Sequence, residues 1–334
     1  MLPRSNLRYA GDSPIADSDE RKLRKTLNPT IRPQWQQTPV AGIDEPNDPK
    51  RLRMRDSLQT QAFLKYLNPD GGLPYYPGMP SFSEPTLLMI LGLMAAGAAE
   101  ALQPLVEWAR KNRNPDGSIG LNRDFPNEGV WNTAILAIAM HHAGMKADRD
   151  AALNFLLGFR SVQFPRAPEN DLDPLLVGWP WVIHTFGWVE PTSWALLALN
   201  LAGMSDHPRA VEGRRLLEDR CLPEGGWNYG NKKVFQNILM PFWDTTALAT
   251  LALGDSNRDL TDKNLNLLER SFPEMHSLLT NALVCLCMAR FGRKTDMIQA
   301  RIAGILGQLE KEEMNFAHLA MSLIALSSKR VLTP

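Results

Sequence analysis

Trp188-Val189-Glu190-Pro191-Thr192-Ser193-Trp194-Ala195-Leu196-Leu197-Ala198-Leu199-Asn200-Leu201-Ala202-Gly203 reads as a helix with a sharp start and a sharp stop. Pro191 suits a first turn, where its missing N–H removes no hydrogen bond. Gly203 suits the C-terminal stop. Almost every residue between them is apolar, and a helix apolar on all sides is a buried helix. The pattern recurs. Glu84-Pro85-Thr86 opens a run ending at Gly97, Trp131-Asn132-Thr133 one ending at Gly144, and Trp243-Asp244-Thr245 one ending at Gly254. The threonines at 86, 133, 192 and 245 lie 47, 59 and 53 residues apart, the period of a repeat architecture. Two weaker copies, Ser277 to Gly292 and Asn315 to Ser327, bring the number to six.

The first fifty residues differ from the rest. They hold seven prolines, many charges and little periodicity, and are expected to form an extended, partly disordered arm. Basic clusters, Arg21-Lys22-Leu23-Arg24-Lys25 and Lys50, Arg51, Arg53 and Arg55, read as solvated charge or as contacts to an anionic lipid or phosphate. The domain proper spans 51–330 and alternates amphipathic with wholly apolar helices. The amphipathic ones are expected at 56–67, 100–112, 148–161, 207–220, 260–270 and 296–310, each paired with the apolar helix after it. Such pairs cannot fold alone, because the apolar member needs cover on every side. The economical solution is a closed all-α (α/α)6 toroid, with six apolar helices inside and six amphipathic helices outside. Small residues such as Gly92, Ala134, Ala195 and Ala249 would let the inner helices pack closely.

The totals set limits. A chain of 334 residues, 44% hydrophobic, can bury a large core. Its formal net charge of zero argues against a nucleic-acid partner. Three cysteines form no obvious disulfide framework, which favours a reducing, cytoplasmic setting. The first thirty residues lack an apolar signal core. The longest apolar run, Leu87 to Ala99, is too short for a membrane span, so any membrane contact would be peripheral.

The loops before the apolar helices carry a more specific signal. Asn68-Pro69-Asp70-Gly71-Gly72-Leu73, Asn114-Pro115-Asp116-Gly117-Ser118-Ile119 and Pro223-Glu224-Gly225-Gly226-Trp227 resemble the Q-x-x-D-G-[GS]-W repeats of squalene–hopene cyclases and protein prenyltransferase β subunits. Trp243-Asp244-Thr245-Thr246-Ala247-Leu248 looks like a helix start of the same superfamily. The resemblance implies an α/α toroid over about 51–330. It also implies a cavity for a long apolar, isoprenoid ligand, with acid-initiated cyclisation or prenyl transfer as the reaction. The pattern departs from the family in two places. Where the cyclases carry a D-x-D-D motif the chain has Trp243-Asp244, and Asp244 is followed two residues later by Thr246 rather than the prenyltransferase zinc-ligand cysteine. Neither a zinc site nor any other cofactor is therefore expected.

Glu84, Glu190 and Asp244 stand at inner-helix starts, which converge on one mouth of a toroid. Two readings stand. They are first-turn acids serving free N–H groups and the helix dipole, or they line the mouth as general acids, one with a raised pKa. His184 lies in the most aromatic segment, Trp179 to Trp188, and is a candidate proton acceptor. Trp131, Trp181, Phe186, Trp188, Trp194, Trp243, His276 and His318 are candidate cavity residues; the aromatic loop is either a plug of the barrel or a ligand wall. His276 and His318 read equally as a cap contact and a core histidine. A non-catalytic scaffold, with the arm holding a protein partner, and a glycan-active (α/α)6 enzyme with paired carboxylates are the other two functions that fit.

Overall fold

The structure is a computed structural model and describes residues 64–166, 171–234, 237–310, 313–327 and 329–333. The arm 1–50, its basic clusters, and all of the helix expected at 56–67 except 64–67 lie outside the described residues; Leu64–Tyr66 form a 3-10 turn.

Eleven α-helices are described. Six are the apolar ones: α1 (Ser83–Ala96), α3 (Val130–His142), α5 (Val189–Leu201), α7 (Trp243–Leu253), α9 (Leu278–Arg290) and α11 (Phe316–Leu326). Five alternate with them: α2 (Gln103–Asn112), α4 (Lys146–Gly158), α6 (Pro208–Arg220), α8 (Arg258–Ser271) and α10 (Asp296–Leu306). A two-residue hairpin, β1 (Lys233–Val234) with β2 (Asn237–Ile238), is an addition that the helical periodicity does not foresee.

The ring closes. Each apolar helix packs on the next, α1 on α3, α3 on α5, and so on to α11, which packs back on α1. Gly92 permits that last contact: a Cβ there would stand 3.1 Å from the Ala320 carbonyl oxygen of α11. Nearly every residue of α1, α3, α5 and α7 is buried, because each is flanked by two inner neighbours and an outer helix. The fold is an (α/α)6 toroid. One expectation is corrected. Each outer helix packs chiefly on the inner helix before it, not the one after it. The connection from inner to outer helix is short and turns at a glycine in left-handed conformation, such as Gly144 or Gly203, so the two form a helical hairpin.

The repeat threonine has a physical task. It sits four residues after the N-cap and accepts a hydrogen bond from the loop that leads into the helix. Leu73 N–H donates to Thr86 Oγ1 at 2.9 Å, Ile119 to Thr133 at 3.1 Å, Trp179 to Thr192 at 3.0 Å, and Trp227 to Thr246 at 3.0 Å. The fourth member of the series is therefore Thr246 and not Thr245, whose buried hydroxyl has no partner. The Asp-Gly loops are built as turns: Asp70 accepts from Gly72 N–H, Ser81 Oγ and Trp108 Nε1, tying the loop to α2. No helix among the described residues is long and apolar enough to cross a membrane.

Candidate active site

The corrected register aligns the acids. Two residues before each pinning threonine stand Glu84, Trp131, Glu190 and Asp244, all in the first turn of an inner helix. Because α1, α3, α5 and α7 are each followed by an outer helix that packs back on them, these first turns share one end of the barrel. Helices α5 and α7 are neighbours, which places Glu190 beside Asp244 in the ring order, with Glu84 on the other side beyond Trp131.

Electrostatic coupling links the three acids, since Glu84 and Asp244 both act on Glu190. Tyr75 Oη donates to Glu84 Oε2 at 2.6 Å, and Trp131 Nε1 reaches the same oxygen at 3.4 Å. Burial raises the Glu84 pKa above the ordinary carboxylate value, and these two hydrogen bonds act against the rise. Glu190 is pushed up to about 8, first by burial, then by the negative charges of Glu84 and Asp244; the Trp194 indole one turn along α5 opposes this. Both glutamates are surrounded by protein yet keep part of their surface uncovered, as side chains at a mouth do. The same field reaches the phenols. Burial and then Glu84 raise the pKa of Tyr75, and burial, Asp244 and Glu190 raise that of Tyr229. His318 also belongs here: burial lowers its pKa, and Asp244 opposes the fall.

The aromatic residues frame this end. Trp179 and Trp188 pair as an antiparallel bridge, so 179–188 is a hairpin loop. Trp179 roots it: the indole is fully buried, donates to the Leu156 carbonyl at 3.1 Å and lies under the Arg209 guanidinium at 4.2 Å. Trp181 packs edge-on against Trp131 at 4.7 Å, and Phe186 stacks on Trp188 at 4.4 Å. Trp194 is buried beside Glu190, and Trp243 is a half-buried residue packed on the core. His184 is placed elsewhere. It is exposed at the tip of the hairpin and lines a separate cleft that contains none of the three acids. His276 is exposed before α9, one residue ahead of its N-cap Ser277. Tyr75, Tyr229 and Phe242 were not foreseen. Tyr229 stacks on Phe242 at 4.6 Å and both rings are exposed. The tyrosine content of the loop after Leu73 was the one sequence signal for Tyr75.

Among the described residues no group of three His, Cys, Asp or Glu side chains gathers as a metal site. The three thiols are free, and burial raises the pKa of each, Cys221 to about 11 and Cys285 to about 12, so none is a ready nucleophile. The chemistry available at the mouth is that of carboxyl groups held in different environments, with phenol and indole donors around them.

The fold class is that of (α/α)6 toroid proteins. Solved structures with this architecture include an α-amylase from Clostridium perfringens, 13% identical, matched over 82% of this chain and 96% of that one with a TM-score of 0.57. A GH8 xylobiose complex from Teredinibacter turnerae is 13% identical over 84% of this chain and 93% of that one, with a TM-score of 0.54. PssZ from Listeria monocytogenes is 14% identical over 81% and 94%, also at 0.54. At such identities the likeness establishes the fold alone. No protein-family model and no curated protein sequence matches the chain.

Proposed function

We propose that this protein is a glycan-active enzyme that hydrolyses a glycosidic bond at the barrel mouth. The observation that carries this reading is the placing of Glu190 between two other acids, Asp244 on the neighbouring helix and Glu84 across Trp131. An acid with a pKa of about 8 keeps its proton at neutral pH. It can give that proton to the leaving oxygen of a glycoside, while a second carboxylate serves the anomeric carbon as base or nucleophile. In this reading Glu190 is the general acid and Asp244 the second carboxylate. Glu84, held by Tyr75 and Trp131, stands close enough for its charge to contribute to the raised pKa of Glu190. The exposed Tyr229 and Phe242 beside the acids supply flat faces on which sugar rings stack. Several chains that share the toroid are glycosidases by name, which supports the reaction class and transfers no residue role.

An isoprenoid ligand is the second reading. The same aromatic frame, Trp131, Trp181, Phe186 and Trp188, could hold an apolar chain or stabilise a cation. The departures at Trp243-Asp244 weigh against cyclisation, since an aspartate triad that could protonate an alkene is missing there. One experiment separates the readings. Purified full-length protein and its Glu190→Gln variant are incubated with neutral polysaccharides of α- and β-linked glucose and xylose, and in parallel with squalene and polyprenyl diphosphates. New reducing ends, lost in the variant, support the glycosidase. Conversion of the lipids, with no sugar released, refutes it. No turnover of either class moves the protein to the scaffold reading.

A further inference from the structure

We propose that the cleft beneath the tip of the 179–188 hairpin is a second carbohydrate site, which binds a neutral sugar unit of a glycan chain away from the three acids. This inference rests on the glycan reading above and extends it to a surface that the reading does not use.

The cleft encloses about 400 Å³, at the small end of ligand pockets and enough for a sugar ring or two. One wall comes from the end of α4 and the segment after it, where Phe155 and Phe159 stand with ring centroids 5.7 Å apart. They offer the apolar face that a pyranose needs. The opposite wall is the hairpin tip, Ile183 and His184. The same hairpin sends Trp181 to Trp131 at the mouth, so the cleft and the acid site share one structural element.

Two observations point to a ligand. Ser161 lines the cleft and is only 7% exposed, yet its hydroxyl has no hydrogen-bond partner. Buried hydroxyls are nearly always paired, so an unmatched one in the wall of a cleft marks a place where an outside polar group fits. His184 has φ +65°, the only non-glycine residue with positive φ among the described residues. Backbone held in this region collects at ligand-binding sites, and His184 lines the cleft. The remaining polar groups are one acid, one guanidinium, an amide and a second hydroxyl: Asp116, Arg160, Asn127 and Ser118. With balanced charge and mixed donors and acceptors, the cleft suits a neutral polyol rather than a phosphate or a lipid tail.

The test uses the full chain carrying Glu190→Gln, so that substrate persists, titrated calorimetrically with maltohexaose, xylohexaose and cellohexaose. Ser161→Ala and Asn127→Ala are added singly; Ser161→Ala removes a hydroxyl that the protein does not use, so folding is kept, and circular dichroism checks it. Affinity for the bound hexaose is expected to fall about fivefold with each variant. Hydrolysis of the hexaoses is measured separately with the wild-type chain. Hydrolysis together with unchanged affinity in both cleft variants overturns the cleft and leaves the glycosidase standing. Affinity that falls in both variants with no hydrolysis supports the cleft and removes the glycosidase. No binding of any hexaose at about 10 mM, far weaker than ordinary recognition, overturns both.

Discussion

Replacing Glu190 by glutamine should change stability in a pH-dependent way. The carboxyl has a pKa of about 8 in the folded protein against 4.5 when free. Below pH 4.5 both states hold the proton, so Glu190 contributes no pH dependence. Between 4.5 and about 8 the folded state binds more proton than the unfolded one, so stability falls as pH rises. Above about 8 the full cost of a charged Glu190 is present. The interval corresponds to about 5 kcal/mol, and the uncovered part of the carboxyl lets water relieve some of it, which leaves about 3 kcal/mol. Glutamine keeps the shape, stays neutral and feels no such cost. In urea unfolding at pH 5, 6, 7, 8 and 9, Glu190→Gln should match wild type at pH 5 and exceed it by about 3 kcal/mol at pH 9. Taking the difference between the two proteins cancels most other titrations. A difference that stays flat from pH 5 to 9 would refute the reasoning, because Glu190 would then hold its charge without cost.

Three further expectations concern the frame. Thr246→Val leaves the buried Trp227 N–H unpaired and should cost about 1–3 kcal/mol, whereas Thr245→Val removes an unpartnered hydroxyl and should cost less; equal losses in thermal unfolding would contradict the register. Gly178→Ala would press a methyl onto Thr192 Oγ1 and to within 2.8 Å of Leu216 Cδ1, so urea titration should find a loss of about 1–3 kcal/mol, and an unchanged midpoint would mean the hairpin root is looser than described. His184→Gly relieves a left-handed backbone at a non-glycine residue and should raise stability by about 0.5–1 kcal/mol, read as a higher melting temperature; a lower one would mean that the imidazole stabilises the hairpin tip.

Much of this was legible in the sequence. The apolar runs from Glu84, Trp131, Glu190 and Trp243 to their glycines are the inner helices within a residue or two, because helices buried on all sides leave an unmistakable composition. The register slipped at Trp243-Asp244-Thr245-Thr246, where two adjacent threonines satisfy the pattern and only the Trp227 hydrogen bond decides between them. The pairing of outer with inner helices was misjudged because both connections contain glycine, although the short inner-to-outer links, such as 143–145, stand apart in the sequence from the long outer-to-inner loops, such as 159–188. At the site, Glu84, Glu190 and Asp244 were accessible as first-turn acids of a repeat. Tyr75 and Tyr229 were not, since they come from loops without periodicity. His184 was drawn toward the acids by the aromatic segment around it, but the 179–188 hairpin points its two faces to different places, Trp181 to the mouth and His184 to the cleft.

The most direct measurement is the pH profile of glycosidic-bond cleavage by wild-type protein and by Glu190→Gln, followed by proton NMR of the released sugar. Wild-type kcat/KM should fall as pH rises through about 8, where Glu190 gives up its proton, and the variant should be slower by about 10²–10⁴-fold with that alkaline limb gone. Cleavage by Glu190→Gln at the wild-type rate, or an alkaline limb that survives the substitution, would contradict the assignment of Glu190 as the acid.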